Sequence, residues 1–387
     1  MIEMAARMKR LGTESAFEVL ARAKALEEQG KDIINLGIGQ PDFQTPGHIV
    51  EAAVKALKDG HHGYTPAGGI PQLRQAVVND IVKYRGVDVD PANVMIVPGG
   101  KVTMFFAMLM IGEAGAEIIY PNPGFPIYES AINFSGAKAV PMPLHEETGF
   151  SFNAEEVLDL ITPQTRLIII NSPANPTGGV APRDQIERLV EGLEAHPQVR
   201  ILSDEIYGRM LYEGRQHVSL LEFDSIRDRV ILLDGWSKTY AMTGWRLGYG
   251  VWPQSLIEPA TRLAINCHSC VGAATQYAGI AALEGPQDAV DDMVRAFDER
   301  RKVIVSELNQ TAGITCADPG GAFYAFANIT GTGMEAAEFQ DKLLNEAGVA
   351  TVAGTSFGRF GEGYLRFSYA NSTENIKTAI KRIRDCV

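Results

Sequence analysis

Between about residue 94 and residue 233 the chain repeats one pattern. A short apolar run gives way to a cluster of Gly, Pro, Asn or Asp, often followed by a stretch long enough for a helix. The runs are VMIV, EIIY, AVPM, RLIII, VRIL and RVILL. Runs that are apolar throughout, rather than alternating, suit strands covered on both faces, and their spacing predicts βαβ units in a mostly parallel sheet. Ligands of such sheets lie beyond the carboxyl ends of the strands. The residues after each run are therefore where chemistry is expected.

The flanks read differently. Ser15 to Glu28 is helix-like and stops at Gln29-Gly30, and DIINLGIGQPDF reads as a strand entering a Gly/Pro loop. After Gly285 a long amphipathic helix carries Val290, Met293, Val294, Phe297, Ile304 and Leu308 largely on one face. Beyond it GAFYAFANI, VATVA and GYLRFSYA are strand-like, with helices expected at about 335–347 and 373–385. The expected division is a large α/β domain over 46–285 and a smaller α+β domain from 1–45 plus 286–387, with the N-terminal helix beside the latter.

Composition narrows the function. A formal net charge of −12 argues against a general binder of nucleic acid or anionic membrane, which needs a basic surface, but leaves room for a local anion pocket. Four Cys in 387 residues cannot staple a fold and fit a reducing cytosol. The start, MIEMAARMKR, lacks a secretory pattern, and no apolar run approaches the roughly 18 residues of a membrane helix. A cytoplasmic location is expected.

Polar groups gather where the runs end. Gly99-Gly100 before Lys101 opens a helix and could let backbone N–H groups approach an anion, or could be a plain βα turn. It is no Walker loop, and GIGQPD lacks the third glycine of a dinucleotide fingerprint. In YPNPGFPIYES three prolines stiffen a loop that could present Phe125 as a flat face; a core aromatic is the plainer alternative. Asn171 and Asn175 stand in NSPANPTGG, where an Asn often only satisfies its own turn. Asp204 and Tyr207 follow VRIL; the Asp is either a helix cap or the partner of a cation. Lys238 follows RVILLDGWS, with Arg246 eight residues on. Most lysines are solvated, yet one held among glycines and aromatics can lose its proton and attack a carbonyl. Together these groups suit a planar, phosphorylated, aldehyde-bearing heterocycle, and pyridoxal 5′-phosphate has those features.

The ordered series NPTGG, SDEIY, SKTYAMTGWRLGY and LRFSY resembles the class I, aspartate-aminotransferase-like family of fold-type I pyridoxal-phosphate enzymes, from GIGQPDF almost to the C-terminus. The resemblance implies a transaminase working by a ping-pong route. Lys238 would form the internal aldimine and later shuttle the Cα proton. Asp204 would pair with the pyridine nitrogen through a charge-assisted bond worth about 1.5–3 kcal/mol. Asn175 and Tyr207 would contact the ring's phenolic oxygen, and Phe125 would stack on the ring. Gly100, Lys101, Ser237 and Arg246 would hold the phosphate, joined by Tyr64 from a second subunit, which implies a homodimer with shared sites. Arg366 would clamp the substrate α-carboxylate beside Gly39 and Asn175. Lys101 either reads a distal carboxylate, as in aspartate or glutamate, or is a solvated first-turn lysine.

Two features stand apart from the pattern. Gly235 occupies a position where many relatives carry Ser, so one phosphate hydrogen bond is in question. Cys267-His268-Ser269-Cys270 lacks the second ligand pair a zinc site needs, so no metal is expected. The rival readings are another reaction of the same cofactor (lyase, racemase or decarboxylase) and, more remotely, a non-catalytic sensor of the same fold.

Overall fold

The computed structural model describes residues 4–387; the first three residues of MIEMAARMKR, and with them the start of the expected small domain, lie outside the described residues. Helix α1 (Ser15–Glu28) is followed by a two-residue strand, β1 (Ile34–Asn35), much shorter than DIINLGIG suggested. Helices α2 (Gly47–Lys58) and α3 (Pro71–Arg85) come next. Proline at the first position of α3 has a fixed φ and needs no N–H, and Gly86 at φ 67° ends the helix in a left-handed turn.

The predicted rhythm then becomes β2 (Val94–Val97), α4 (Lys101–Ile111), β3 (Glu117–Asn122), α5 (Ile127–Ser135), β4 (Lys138–Pro143), β5 (Thr165–Asn171), β6 (Arg200–Asp204) and β7 (Val230–Gly235). The strands of this series all join one seven-stranded sheet of order β2-β8-β7-β6-β5-β3-β4. Strand β8 (Gly248–Val251) runs antiparallel to both β2 and β7, whereas β7 through β4 are parallel. Sequence reading did not anticipate β8, because GYGV offers no apolar run.

Apolar runs imply two covered faces, and the core shows both. Val94, Ile96, Ile201 and Leu232 pack with Leu73, Val77 and Ile81 of α3 on one side. Met95, Val97, Leu202 and Leu233 pack with Met104, Phe106 and Met108 of α4 on the other. Strand β4 departs from the rule: as an edge strand it is mostly half-buried.

The remaining strands form smaller sheets. β9 (Thr315–Cys316), β10 (Tyr324–Asn328), β12 (Val352–Ala353) and β13 (Tyr364–Ser368) pair in the order β12-β13-β10-β9, and β11 (Val349–Ala350) pairs with β1. The amphipathic helix expected after Gly285 is Asp288–Asn309, whose Phe297, Ile304 and Leu308 enter a core with Phe323, Phe339 and Ile380. Helix α1 sits beside this region, burying Val19 and Ala23 with Leu344 and Ala350. No helix of the described residues is long and apolar enough to cross a membrane.

Candidate active site

The carboxyl ends of β2, β5, β6 and β7 open onto a cavity of about 490 Å³. Its lining includes Gly39, Gly100, Lys101, Phe125, Asn175, Asp204, Tyr207, Ser237, Lys238, Arg246 and Arg366. Eleven of the twelve candidate residues, spread over more than 300 positions of chain, thus meet at one place. The twelfth, Tyr64, does not: its side chain is 94% exposed, and it is absent from this lining.

Strand β6 ends at Asp204, and the extended chain delivers that carboxyl to the cavity floor. Tyr128 Oη donates to Oδ2 at 2.7 Å, and the Ile206 N–H donates to Oδ1 at 3.3 Å. Burial pushes the carboxyl up to about 6, and Asp234 and Glu205 push in the same direction. Tyr128 was not among the sequence candidates. Its one signal was its place in α5, three residues after Phe125, with which it packs edge-on at 5.7 Å between ring centroids.

Lys238 follows β7 in a four-residue helical turn. Its Nζ donates to the Gly39 carbonyl at 2.6 Å and lies 5.9 Å and 5.7 Å from the ring centroids of Tyr207 and Phe323. Burial depresses the ammonium to about 8; Arg366, Arg246 and Lys101 add to the shift, and Glu14 opposes it. A buried amine with such a pKa is available as a nucleophile near neutral pH.

Arg366 comes from the other sheet, in β13, opposite Phe326 of β10. Its guanidinium donates to Asn175 Oδ1 at 2.9 Å and to the Gly37 carbonyl at 2.5 Å. It lies 4.6 Å and 4.7 Å from the ring centroids of Tyr324 and Phe357. Among the described residues Nε is buried without a partner. Tyr207 and Tyr324 share a hydroxyl–hydroxyl hydrogen bond of 2.8 Å beside it. A planar fork held between aromatic rings is pre-organised for a carboxylate.

Gly99, at φ 92°, admits the Arg246 guanidinium against its backbone, where a Cβ would overlap it. Arg246 Nη1 donates to the Thr243 carbonyl at 2.8 Å, and Ser237 lies buried nearby on the same lining. These groups, with the start of α4, make one end of the cavity cationic and rich in donors. The Gly235 departure has a packing cause. Gly235 pairs with Gly248, and a Cβ at 235 would lie 2.8 Å from Gly248 Cα and 3.1 Å from the Leu247 carbonyl.

Behind the floor lies an ion cluster with no precedent in the sequence reading. Arg85, the last residue of α3, donates to Glu205 Oε2 at 2.8 Å and Asp234 Oδ2 at 2.5 Å. Glu205 also accepts from Ser203 Oγ and Ser219 Oγ, each at 2.8 Å, and meets His217 Nε2 at 2.7 Å. Burial alone would raise Glu205, but His217 and Arg85 overcome it and hold the carboxyl at about 2. The cluster joins α3 to the ends of the two strands that carry Asp204 and Lys238.

The family described as aminotransferase class I and II matches residues 31–383. An aspartate aminotransferase of Pyrococcus horikoshii is 41% identical over 95% of this chain and 92% of its own. An aromatic-amino-acid aminotransferase of Thermococcus litoralis is 38% identical over 91% of this chain and 90% of its own. Among solved structures, the aspartate aminotransferase of Thermus thermophilus with maleate superposes with a TM-score of 0.95 at 33% identity, covering all of both chains.

Proposed function

The chain belongs to the class I and II aminotransferases and is a pyridoxal-phosphate-dependent transaminase, and from that premise we propose how its own residues divide the work and which substrates it takes. The observation that carries the proposal is that Lys238, Asp204 and Arg366 line one cavity, although Asp204 ends one strand of the large sheet, Lys238 follows another, and Arg366 lies in the four-stranded sheet.

The cavity fits the cofactor. Asp204 is a buried carboxyl whose hydrogen-bond donors are uncharged, so a pyridinium N–H would be its natural cationic partner. Phe125 and Tyr207 are the aromatic groups for the ring. Ser237, Arg246 and the backbone of Gly100 and Lys101 are the donors for a phosphate, where the lining is cationic. When bound, pyridoxal phosphate supplies an aldehyde that condenses with amines and a ring that accepts the electron pair left when Cα loses its proton.

Lys238 Nζ is the amine that would hold the cofactor's aldehyde at rest and, once freed, would serve as the base for the Cα proton. Its depressed pKa keeps that amine largely unprotonated at mildly alkaline pH. Asp204 would hold a proton on the ring nitrogen. Arg366 binds the α-carboxylate, its unpartnered Nε offering a further donor. Among the described residues there is one such clamp and one such buried lysine per cavity, so donor and acceptor use them in turn, and the kinetics are ping-pong.

The donors are of the aspartate and glutamate type, with Lys101 at the mouth reading the distal carboxylate. Aspartate aminotransferases among the relatives support this, as does the place of Lys101 on the same lining as Arg366. The working unit is a homodimer in which Tyr64, exposed and outside the lining of its own cavity, completes the partner's phosphate site. The chain divides into 46–285, which holds the seven-stranded sheet, and 1–45 plus 286–387, which hold the smaller sheets. A cytoplasmic location is supported by four cysteines that are all free thiols.

Mixing the enzyme with an amino donor alone tests the reaction. A transaminase releases one equivalent of 2-oxo acid per site and stops, whereas repeated turnover without an acceptor would identify a lyase. For Lys101, Lys101→Ala should lower kcat/KM for aspartate relative to alanine by about tenfold or more; an unchanged ratio refutes the distal-carboxylate role.

A further inference from the structure

Two carboxylates line the cavity among the described residues: Asp204 at the floor and Glu14 at the mouth. Glu14 is ion-paired through Oε1 with Lys101 Nζ. Its side chain is the more buried of the two, 15% exposed against 44% for Lys101, so the carboxylate is turned inward. It also bears electrostatically on Lys238, Arg366 and Tyr324, in each case opposing the positive charge gathered there. Nothing else among the described residues gives Glu14 a task. It stands immediately before α1, yet its side chain caps no N–H of that helix.

We propose that Glu14 is a specificity-determining residue, an internal carboxylate that occupies Lys101 until an acidic donor displaces it. The inference rests on Lys101 reading the distal carboxylate. In the paired state the mouth presents a neutralised Lys101 beside Ala16, Phe17 and Ile38, a lining that accepts uncharged or aromatic side chains. An aspartate or glutamate must compete with Glu14 for the same ammonium, and pays for acceptance by displacing it. Charge decides the competition, because two carboxylates on one ammonium repel each other unless one withdraws.

The chain around Glu14 is built to withdraw. The preceding 3₁₀ turn, Ala6–Arg10, contains no buried residue. Its tethers are hydrogen bonds from Arg10 Nε to the Asn133 carbonyl at 2.7 Å, from Arg10 Nη2 to the Phe134 carbonyl at 3.3 Å, and from the Gly12 N–H to Ser130 Oγ at 2.9 Å. The first buried anchor of α1 is Val19, five residues on from Glu14. The segment can therefore shift without disturbing a core.

The test uses the holoenzyme and compares kcat/KM for aspartate with that for alanine. Glu14→Gln and Glu14→Ala should each raise this ratio by about fivefold, the upper end for a partly exposed ion pair, chiefly through KM for aspartate. Calorimetry with maleate, a dicarboxylate that does not react, should show tighter binding to both variants by a similar factor. A ratio that stays within twofold of wild type, or falls, overturns the proposal. Lys101→Ala keeps the two claims separate. If it lowers the ratio while the Glu14 variants leave it unmoved, only the competition is wrong; if it leaves the ratio unmoved, the distal-carboxylate reading itself is wrong.

Discussion

The cavity has charged groups on two sides, and the two sets are held in opposite ways. Behind the floor, Arg85 is 6% exposed and satisfied by two carboxylates, which are in turn bonded to two serines, a histidine and the hydroxyl of Tyr249. At the mouth, Glu14 and Lys101 have only each other as ion-pair partners among the described residues, and Lys101 is well exposed. Desolvated charges that lose a partner are stranded at a cost of about 3–5 kcal/mol, whereas exposed pairs are worth about 0–1 kcal/mol and exchange readily. The floor is thus a fixed platform for Asp204 and Lys238, which on the proposed reading every substrate uses. The mouth is an adjustable contact that can distinguish one side chain from another.

Removing the reactive group on the floor should produce the largest effect. Lys238→Ala should lower turnover by roughly 10³-fold or more for every donor, acidic or neutral. A selective loss for one donor class would place Lys238 with the mouth rather than the floor. Breaking the platform comes next: Arg85→Met should destabilise the protein by about 3–5 kcal/mol in chemical denaturation, with part of the loss recovered by Arg85→Lys. If Arg85→Met costs no more than Glu14→Gln, for which the expected change is below about 1 kcal/mol, the distinction between the two regions fails.

Arg366→Ala should raise KM by about 100-fold for donors carrying an α-carboxylate, with a much smaller effect on amines that lack it. Equal loss for both would show that the arginine supports packing instead. The smallest effect is one of pH. An amine, not an ammonium, captures an aldehyde, and burial lowers the pKa of Lys238 to about 8. Cofactor-free protein should therefore bind pyridoxal phosphate faster as pH rises through about 8 and level off above it. A rate that is flat from pH 7 to 9 would mean that the lysine is not held as the structure indicates.

Much of the floor could be read from sequence because strand ends are local events. VMIV, RLIII, VRIL and RVILL each announce a covered strand, and the polar residues that follow them reach the cavity by the geometry of the sheet alone. The resemblance of SKTYAMTGWRLGY and LRFSY to a known family then tied Lys238 to Arg366 across more than a hundred positions. What escaped depends on partners far apart in the chain. Arg85 meets Glu205 and Asp234 across 120 and 149 positions, and Lys101 meets Glu14 across 87; no local pattern encodes such pairings. Strand β8 escaped because its glycines serve close packing, Gly248 against Gly235 and Gly100 and Gly250 against Trp252 and Thr103, rather than hydrophobic burial. Tyr128 was hidden as one more aromatic in an apolar helix, although its hydroxyl is what steadies Asp204.

The central claim is that Lys238 is the residue joined to the cofactor. Borohydride reduction of the purified holoenzyme, followed by proteolysis and mass mapping of the pyridoxyl group, reads this directly. The account predicts one modified peptide, with the group on the lysine of Trp236-Ser237-Lys238-Thr239. Modification of another lysine instead, or a reduced protein whose Lys238 remains unmodified while the cofactor is retained, would contradict it.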